Sequence, residues 1–107
     1  MRYVFDLDGT LCRTEGMDYT DAVPDKIMIA LLNGLHDAGH TIIIDTARGS
    51  GTGEDCRAAT ANQLRGWGVK YHELRTGVKI PADMYIDDRA LTPGMFRLLA
   101  QIGRAHV

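Results

Sequence analysis

The sequence predicts an α/β fold: a three-layer, Rossmann-like parallel sheet of about four strands flanked by helices, with no cap domain. Strand-type and helix-type runs alternate along the 107 residues. Such alternation calls for parallel strands joined by right-handed crossovers. The run Thr41-Ile42-Ile43-Ile44 is β-branched without a break, the pattern of a strand covered on both faces. Carboxylates and hydroxyls collect where the apolar runs end, and ligands in such sheets bind beyond the carboxyl ends of the strands.

The first strand is expected at about residues 2–7, and a loop follows from Gly9 to about Val23. A helix is expected from about Pro24 to Ala38. Pro24 suits a first turn, and Asp25 favours the positive end of the helix dipole. Ile27, Ala30, Leu31, Leu35 and Ala38 recur at helical spacing, and Gly39 is placed to end the helix. After the second strand, which ends in Asp45 and Thr46, comes a Gly-rich stretch, Arg48 to Gly53. A second helix is expected from about Glu54 to Trp67, a third strand from Val69 to Leu74 and a short fourth strand at Met84-Tyr85-Ile86. A last helix runs from about Pro93 to Ile102. No repeat, low-complexity tract or linker divides the chain, so residues 1–107 read as one domain.

Composition narrows the function classes. The chain is 45% apolar and 24% charged, with a net charge of −2 and a pI near 6.0. No global field therefore attracts nucleic acid or an anionic membrane, and no basic run marks a nucleic-acid patch. Cys12 and Cys56 are too few for a disulfide scaffold and are expected as free thiols. No signal peptide is expected, because Asp6 and Asp8 follow Met1 so closely, and the apolar stretches fall short of a membrane span. The expected compartment is the cytoplasm.

The pentapeptide Asp6-Leu7-Asp8-Gly9-Thr10 carries the strongest chemical signal. Side chains alternate along a strand, so Asp6 and Asp8 point one way, while Phe5 and Leu7 point the other. Two like charges on one face call for a cation between them or for a shared proton. The plain alternative is a strand ending in a solvated turn, since Asp-Gly is a common turn dipeptide. Other strand ends favour the first reading. They bring Thr46, Arg48, Lys79, Asp87 and Asp88 to the same sheet edge. Carboxylates with a hydroxyl, a lysine and an arginine suit a hard divalent cation and a phosphoryl group.

This constellation resembles the haloacid dehalogenase superfamily of phosphohydrolases. Asp6-Leu7-Asp8-Gly9-Thr10 matches its first motif and Ile43-Ile44-Asp45-Thr46 its second; Lys79 fits the third and Tyr85-Ile86-Asp87-Asp88 the fourth. Thr46-Ala47-Arg48-Gly49, the run from Trp67 to Leu74 and the run from Ala82 to Asp88 look like small members labelled capsule or polysaccharide biosynthesis phosphatases. The resemblance implies that Asp6 is a nucleophile forming an aspartyl phosphate and that Asp8 is the general acid and base. Thr46 would bind phosphoryl oxygens, with Ala47 and Arg48 beside it as further phosphate or substrate contacts. Lys79 would pair with Asp6 and the phosphate. The implied cofactor is Mg2+, on the Asp6 carboxylate, the Asp8 carbonyl and Asp87, with Asp88 direct or through water. One departure is the loop Gly77-Val78-Lys79-Ile80-Pro81, where the small group has Gly-Lys-Pro directly before Ala-Asp; the lysine still lies eight positions before Asp87.

Only 13 residues separate Thr10 from Pro24, enough for a flap and too few for a cap domain. The expected partners are therefore a phosphorylated small molecule and a second copy of the chain covering the open site. The Gly-rich stretch lacks the Gly-Lys-Ser/Thr ending of a nucleotide loop; supplying backbone N–H groups to substrate suits it better. His36 and His40 have helical metal spacing, but Gly39 is expected to end the helix between them. Cys12 is expected beneath the flap, and Arg13, Glu15 and Asp18 read as solvated flap charges or substrate selectors. His72 reads as an edge-strand residue and His106 as part of the tail.

The leading expectation is a magnesium-dependent phosphatase acting on a phosphorylated small molecule, a sugar phosphate first. One alternative is a non-hydrolytic phosphate-binding or regulatory module. Receiver domains combine similar residues, but with the acidic pair first and the phosphorylated aspartate mid-chain, the reverse of the order here. The other alternative is a polynucleotide end-phosphatase, which the acidic pI disfavours.

Overall fold

The computed structural model describes residues 1–14, 18–49 and 56–105. Glu15 of the flap, residues 50–53 of the Gly-rich stretch, the expected start of the second helix at 54–55 and His106 lie outside the described residues.

Strand β1 (Arg2–Phe5) pairs in parallel with β4 (Thr41–Thr46), which pairs in parallel with β5 (Glu73–Thr76). The order is β1-β4-β5, with the β-branched run of β4 at the centre. Phe5 lies beside Ile44 and Ile44 beside Leu74, so all three share one face. That face is the core, since these side chains are all buried and cluster with Leu7, Ile42, Leu32 and Leu64. On the other face Val4 lies beside Ile43 and Ile43 beside Glu73, and Val4 is 60% exposed. The second covering layer expected from the sequence is therefore not found among the described residues.

Helix α1 (Lys26–Asp37) brings Met28, Ile29, Leu31 and Leu32 to the core. It starts where Asp25 is extended and its carboxylate accepts the Met28 N–H at 3.1 Å. It ends in a Schellman motif: His40 N–H donates to the Leu35 carbonyl, Gly39 N–H donates to His36, and Gly39 adopts φ 95°. His36 and His40 therefore do not share a helix. Helix α2 (Arg57–Gly66) closes the same way through Gly68 at φ 73°, with Val69 N–H donating to Leu64. This closure spends Val69; backbone pairing starts where His72 N–H donates to the Ile42 carbonyl at 2.8 Å, and the strand begins at Glu73. The third strand thus lies further along than the expected 69–74. Helix α3 (Pro93–Ala105) sets Phe96 edge-on to Phe5 and packs beside α1.

The expected flap is a small hairpin in which β2 (Cys12–Arg13) pairs antiparallel with β3 (Val23–Pro24). A 3-10 turn, Tyr19–Asp21, lies between them, and the Asp18 carboxylate caps it. The expected fourth strand does not form: Met84, Tyr85 and Ile86 are all more than half exposed and pair with no strand. Local bonds compete there. The Tyr85 hydroxyl donates to the Ile80 carbonyl, and the Asp87 carboxylate accepts the Arg89 N–H. With only three apolar residues between aspartates, the segment has little burial to set against those turns. Among the described residues no helix is long and apolar enough to cross a membrane.

Candidate active site

The carboxyl end of β1 turns sharply after Phe5. Leu7 stays buried in the core, and its carbonyl accepts the Thr10 and Leu11 N–H groups at 3.1 and 2.9 Å. Leu7 anchors the segment, and the residues on either side of it, Asp6 and Asp8, remain half-buried at the sheet edge.

Each carboxylate has its own cation. Lys79 Nζ lies 3.0 Å from Asp6 Oδ1, across 73 residues of sequence, and 4.9 Å from the Tyr85 ring centroid. Arg48 grips Asp8 with both ends of its fork: Nε–H donates to Oδ2 at 2.9 Å and Nη2–H to Oδ1 at 2.8 Å. The Thr14 hydroxyl adds a bond to Oδ1 at 2.6 Å, and the Cys12 thiol approaches it at 3.4 Å. Burial alone pushes the Asp8 pKa up. The Arg48 bonds, the Thr14 hydroxyl and the Arg48 charge outweigh it and hold Asp8 below the usual carboxylate range. Arg48 is shifted upward in turn, the Asp8 bonds and charge prevailing over its burial. Cys12, buried and next to a carboxylate, has its thiol pushed up to about 11. It is buried as the sequence suggested, but within the first strand of the flap hairpin and not beneath it.

Thr46 ends β4 and is buried, and its hydroxyl accepts the Arg48 backbone N–H at 3.2 Å. Thr46 therefore shapes the turn that aims Arg48 at Asp8. Ala47 is half-buried between them. Asp87 and Asp88 are exposed, in the segment that does not join the sheet, and Asp87 is occupied by its own turn. The structure thus pairs Asp6 with Lys79 and Asp8 with Arg48, whose backbone N–H Thr46 accepts, and holds Asp87 and Asp88 in the segment outside the sheet.

That arrangement bears on magnesium. Among the described residues no three carboxylate, imidazole or thiol groups are gathered to hold a metal ion. The Asp6 and Asp8 carboxylates are engaged by Lys79 and Arg48, and that of Asp87 by the Arg89 N–H.

Three site residues were not singled out from sequence: Thr14, Tyr19 and Gln63. The Tyr19 ring lies over the Arg48 guanidinium, 4.4 Å from Cζ, and Gln63 Oε1 accepts from Arg48 Nη1 at 2.7 Å. Nothing local marks a threonine, a tyrosine in a flap or a glutamine on a helix; only the fold brings them to Asp8.

No family model and no curated protein matches the chain. Among solved structures, the crystal structure of an MCSG target from Vibrio cholerae is similar over 96% of this chain and 94% of that one, with 30% identity and a TM-score of 0.82. This chain belongs to the family of that Vibrio cholerae protein. A chain of the Pnkp1/Rnl/Hen1 complex is similar at 20% identity and a TM-score of 0.58, over 89% of this chain and 33% of that one. At that identity the likeness is one of fold.

Proposed function

We propose that this protein is a phosphohydrolase of the haloacid dehalogenase type, removing phosphate from a phosphorylated small molecule, with sugar phosphates the first class to test. The observation that carries the proposal is the pair of carboxylates two residues apart, each on a different cation: Asp6 on Lys79 at 3.0 Å and Asp8 on Arg48 at 2.8 Å. In this reading an Asp6 oxygen bonds to phosphorus as the ester P–O bond breaks, and Asp8 delivers a proton to the departing alcohol oxygen. Water then attacks the aspartyl phosphate, Asp8 takes its proton, and phosphate leaves. Lys79 offsets the charge gathered on Asp6 and the phosphoryl oxygens. Asp8 bound to Arg48 is a carboxylate, the form that accepts a proton from water; it must gain a proton before the first step.

Magnesium belongs to this proposal through the sequence resemblance. It would supply charge neutralisation at the phosphoryl group, held by Asp6, the Asp8 carbonyl and Asp87 with Asp88. No step above is routed through it, because these residues are not gathered together.

The test is phosphate release from sugar phosphates, nucleotides and an aryl phosphate, with magnesium or EDTA, comparing wild type with Asp6→Asn. Turnover should fall by about 10³-fold or more in the variant, as expected for loss of a nucleophile, while its thermal melting stays near wild type. Equal rates in the two proteins would exclude Asp6 as nucleophile. A 3′-phosphorylated oligonucleotide belongs in the panel. The fold likeness to a chain of the Pnkp1/Rnl/Hen1 complex points to a polynucleotide kinase/phosphatase-like fold and supports an end-phosphatase as the second reading. Preference for that substrate, weakening steeply with salt, would favour it.

A further inference from the structure

Gln63 on α2 spends its whole amide on two partners. Its Oε1 accepts from Arg48 Nη1 at 2.7 Å, and its Nε2 donates to the Tyr19 backbone carbonyl at 2.7 Å. Tyr19 closes the circuit by laying its ring on the same guanidinium. Three segments that are distant in sequence therefore meet on Arg48: the flap, the turn after β4, and α2. The other end of the flap is tied to the same place through Thr14 and Asp8. The consequence shows in exposure, for the Arg48 side chain retains 2% of its surface although it lies at the sheet edge. A buried guanidinium needs its donors satisfied, and Asp8 and Gln63 accept at separate nitrogens.

We propose that Tyr19 and Gln63 are positioning residues: together they latch the flap onto Arg48 and so hold the guanidinium on Asp8. Neither touches Asp8 itself. Gln63 sets where Arg48 lies by accepting on Nη1, and its other end holds the tip of the flap, so that the ring of Tyr19 covers the guanidinium. Opening the flap breaks the Gln63–Tyr19 bond and uncovers Arg48. The effect on turnover rests on the phosphohydrolase reading; the latch itself does not.

The test is therefore made first on the free protein. Arg48 Nε–H is buried against Asp8, and its exchange with water can be followed by NMR, together with the Asp21 and Ala22 amides that close the flap turn. Tyr19→Ala and Gln63→Ala should each speed exchange at all three sites by about tenfold, the change that loss of one contact of this kind gives. The core amides of Ile44 and Leu32 should keep their wild-type rates. Tyr19→Phe, which retains the ring, should stay within about twofold of wild type. Gln63→Glu still accepts from Arg48 but faces the Tyr19 carbonyl with a carboxylate, so it should speed the flap amides more than Arg48 Nε–H. Unchanged Arg48 exchange in both alanine variants overturns the latch, as does equal acceleration of the core amides. In phosphate-release assays Gln63→Ala should change kcat with KM within about twofold, because the latch acts on Asp8 and not on substrate binding. A wild type inactive on every substrate would sink the phosphohydrolase reading and leave the exchange result to decide the latch.

Discussion

At Asp8, two guanidinium bonds, a threonine hydroxyl and a nearby thiol converge on one carboxylate. Asp6, two residues earlier, pairs with a different cation, Lys79 at 3.0 Å. The crowding at Asp8 decides the chemistry of Cys12. With its pKa pushed up to about 11, it holds its proton at neutral pH and is closed to solvent, whereas Cys56 is half-buried. Of the two thiols, one should react with an aromatic disulfide reagent in the native protein, and the second only after denaturation. Mass mapping should place the first label on Cys56; rapid labelling of Cys12 would contradict its burial at the base of the flap hairpin.

Helix α1 illustrates how single residues delimit an element. Asp25 supplies the N-cap, and Gly39 supplies the left-handed turn that ends the helix. Replacing Asp25 with Ala should cost about 1 kcal/mol in urea unfolding, the usual worth of a cap. Asp25 also lies 3.8 Å from Arg97 on α3, but both side chains are 38% exposed, and an ion pair so hydrated contributes little. Asp25→Asn keeps the cap and loses the charge, so it should stay within about 0.5 kcal/mol of wild type. A loss in Asp25→Asn as large as in Asp25→Ala would assign the effect to the ion pair and not to the cap.

Across the whole molecule, the Asp8–Arg48 pair couples folding to acid. Asp8 has a folded pKa below its unfolded value of about 3.9. Its contribution is fully present above that unfolded value and is lost as pH falls through the folded pKa. Urea midpoints should therefore hold near neutral pH and decline below about pH 4. Removing Arg48 should be worse than acidifying, since it leaves Asp8 without its partner and the Arg48 cavity unfilled. Arg48→Gln should cost about 3–5 kcal/mol at pH 7, read from the same urea curves. A variant as stable as wild type would show that the bridge is replaceable by water.

The sequence by itself determined the parallel α/β plan, the capped helix α1 and the placement of Asp6 and Asp8 at a strand end. These depend on local periodicity, on Asp25, and on glycines that tolerate positive φ. The strand at 69–74 was displaced because the Schellman closure of α2 takes Val69 first. The strand at 84–86 was lost because three apolar residues cannot outweigh turns that satisfy the local backbone and side chains. Only the tertiary structure decided that Arg48 serves Asp8. The pairing of Lys79 with Asp6 is expected from the resemblance and is present at 3.0 Å, whereas Arg48 is expected as a phosphate or substrate contact and the turn at Thr46 sets it on Asp8 instead. It alone recruited Tyr19 and Gln63, because a contact between distant segments leaves no periodic trace in either of them.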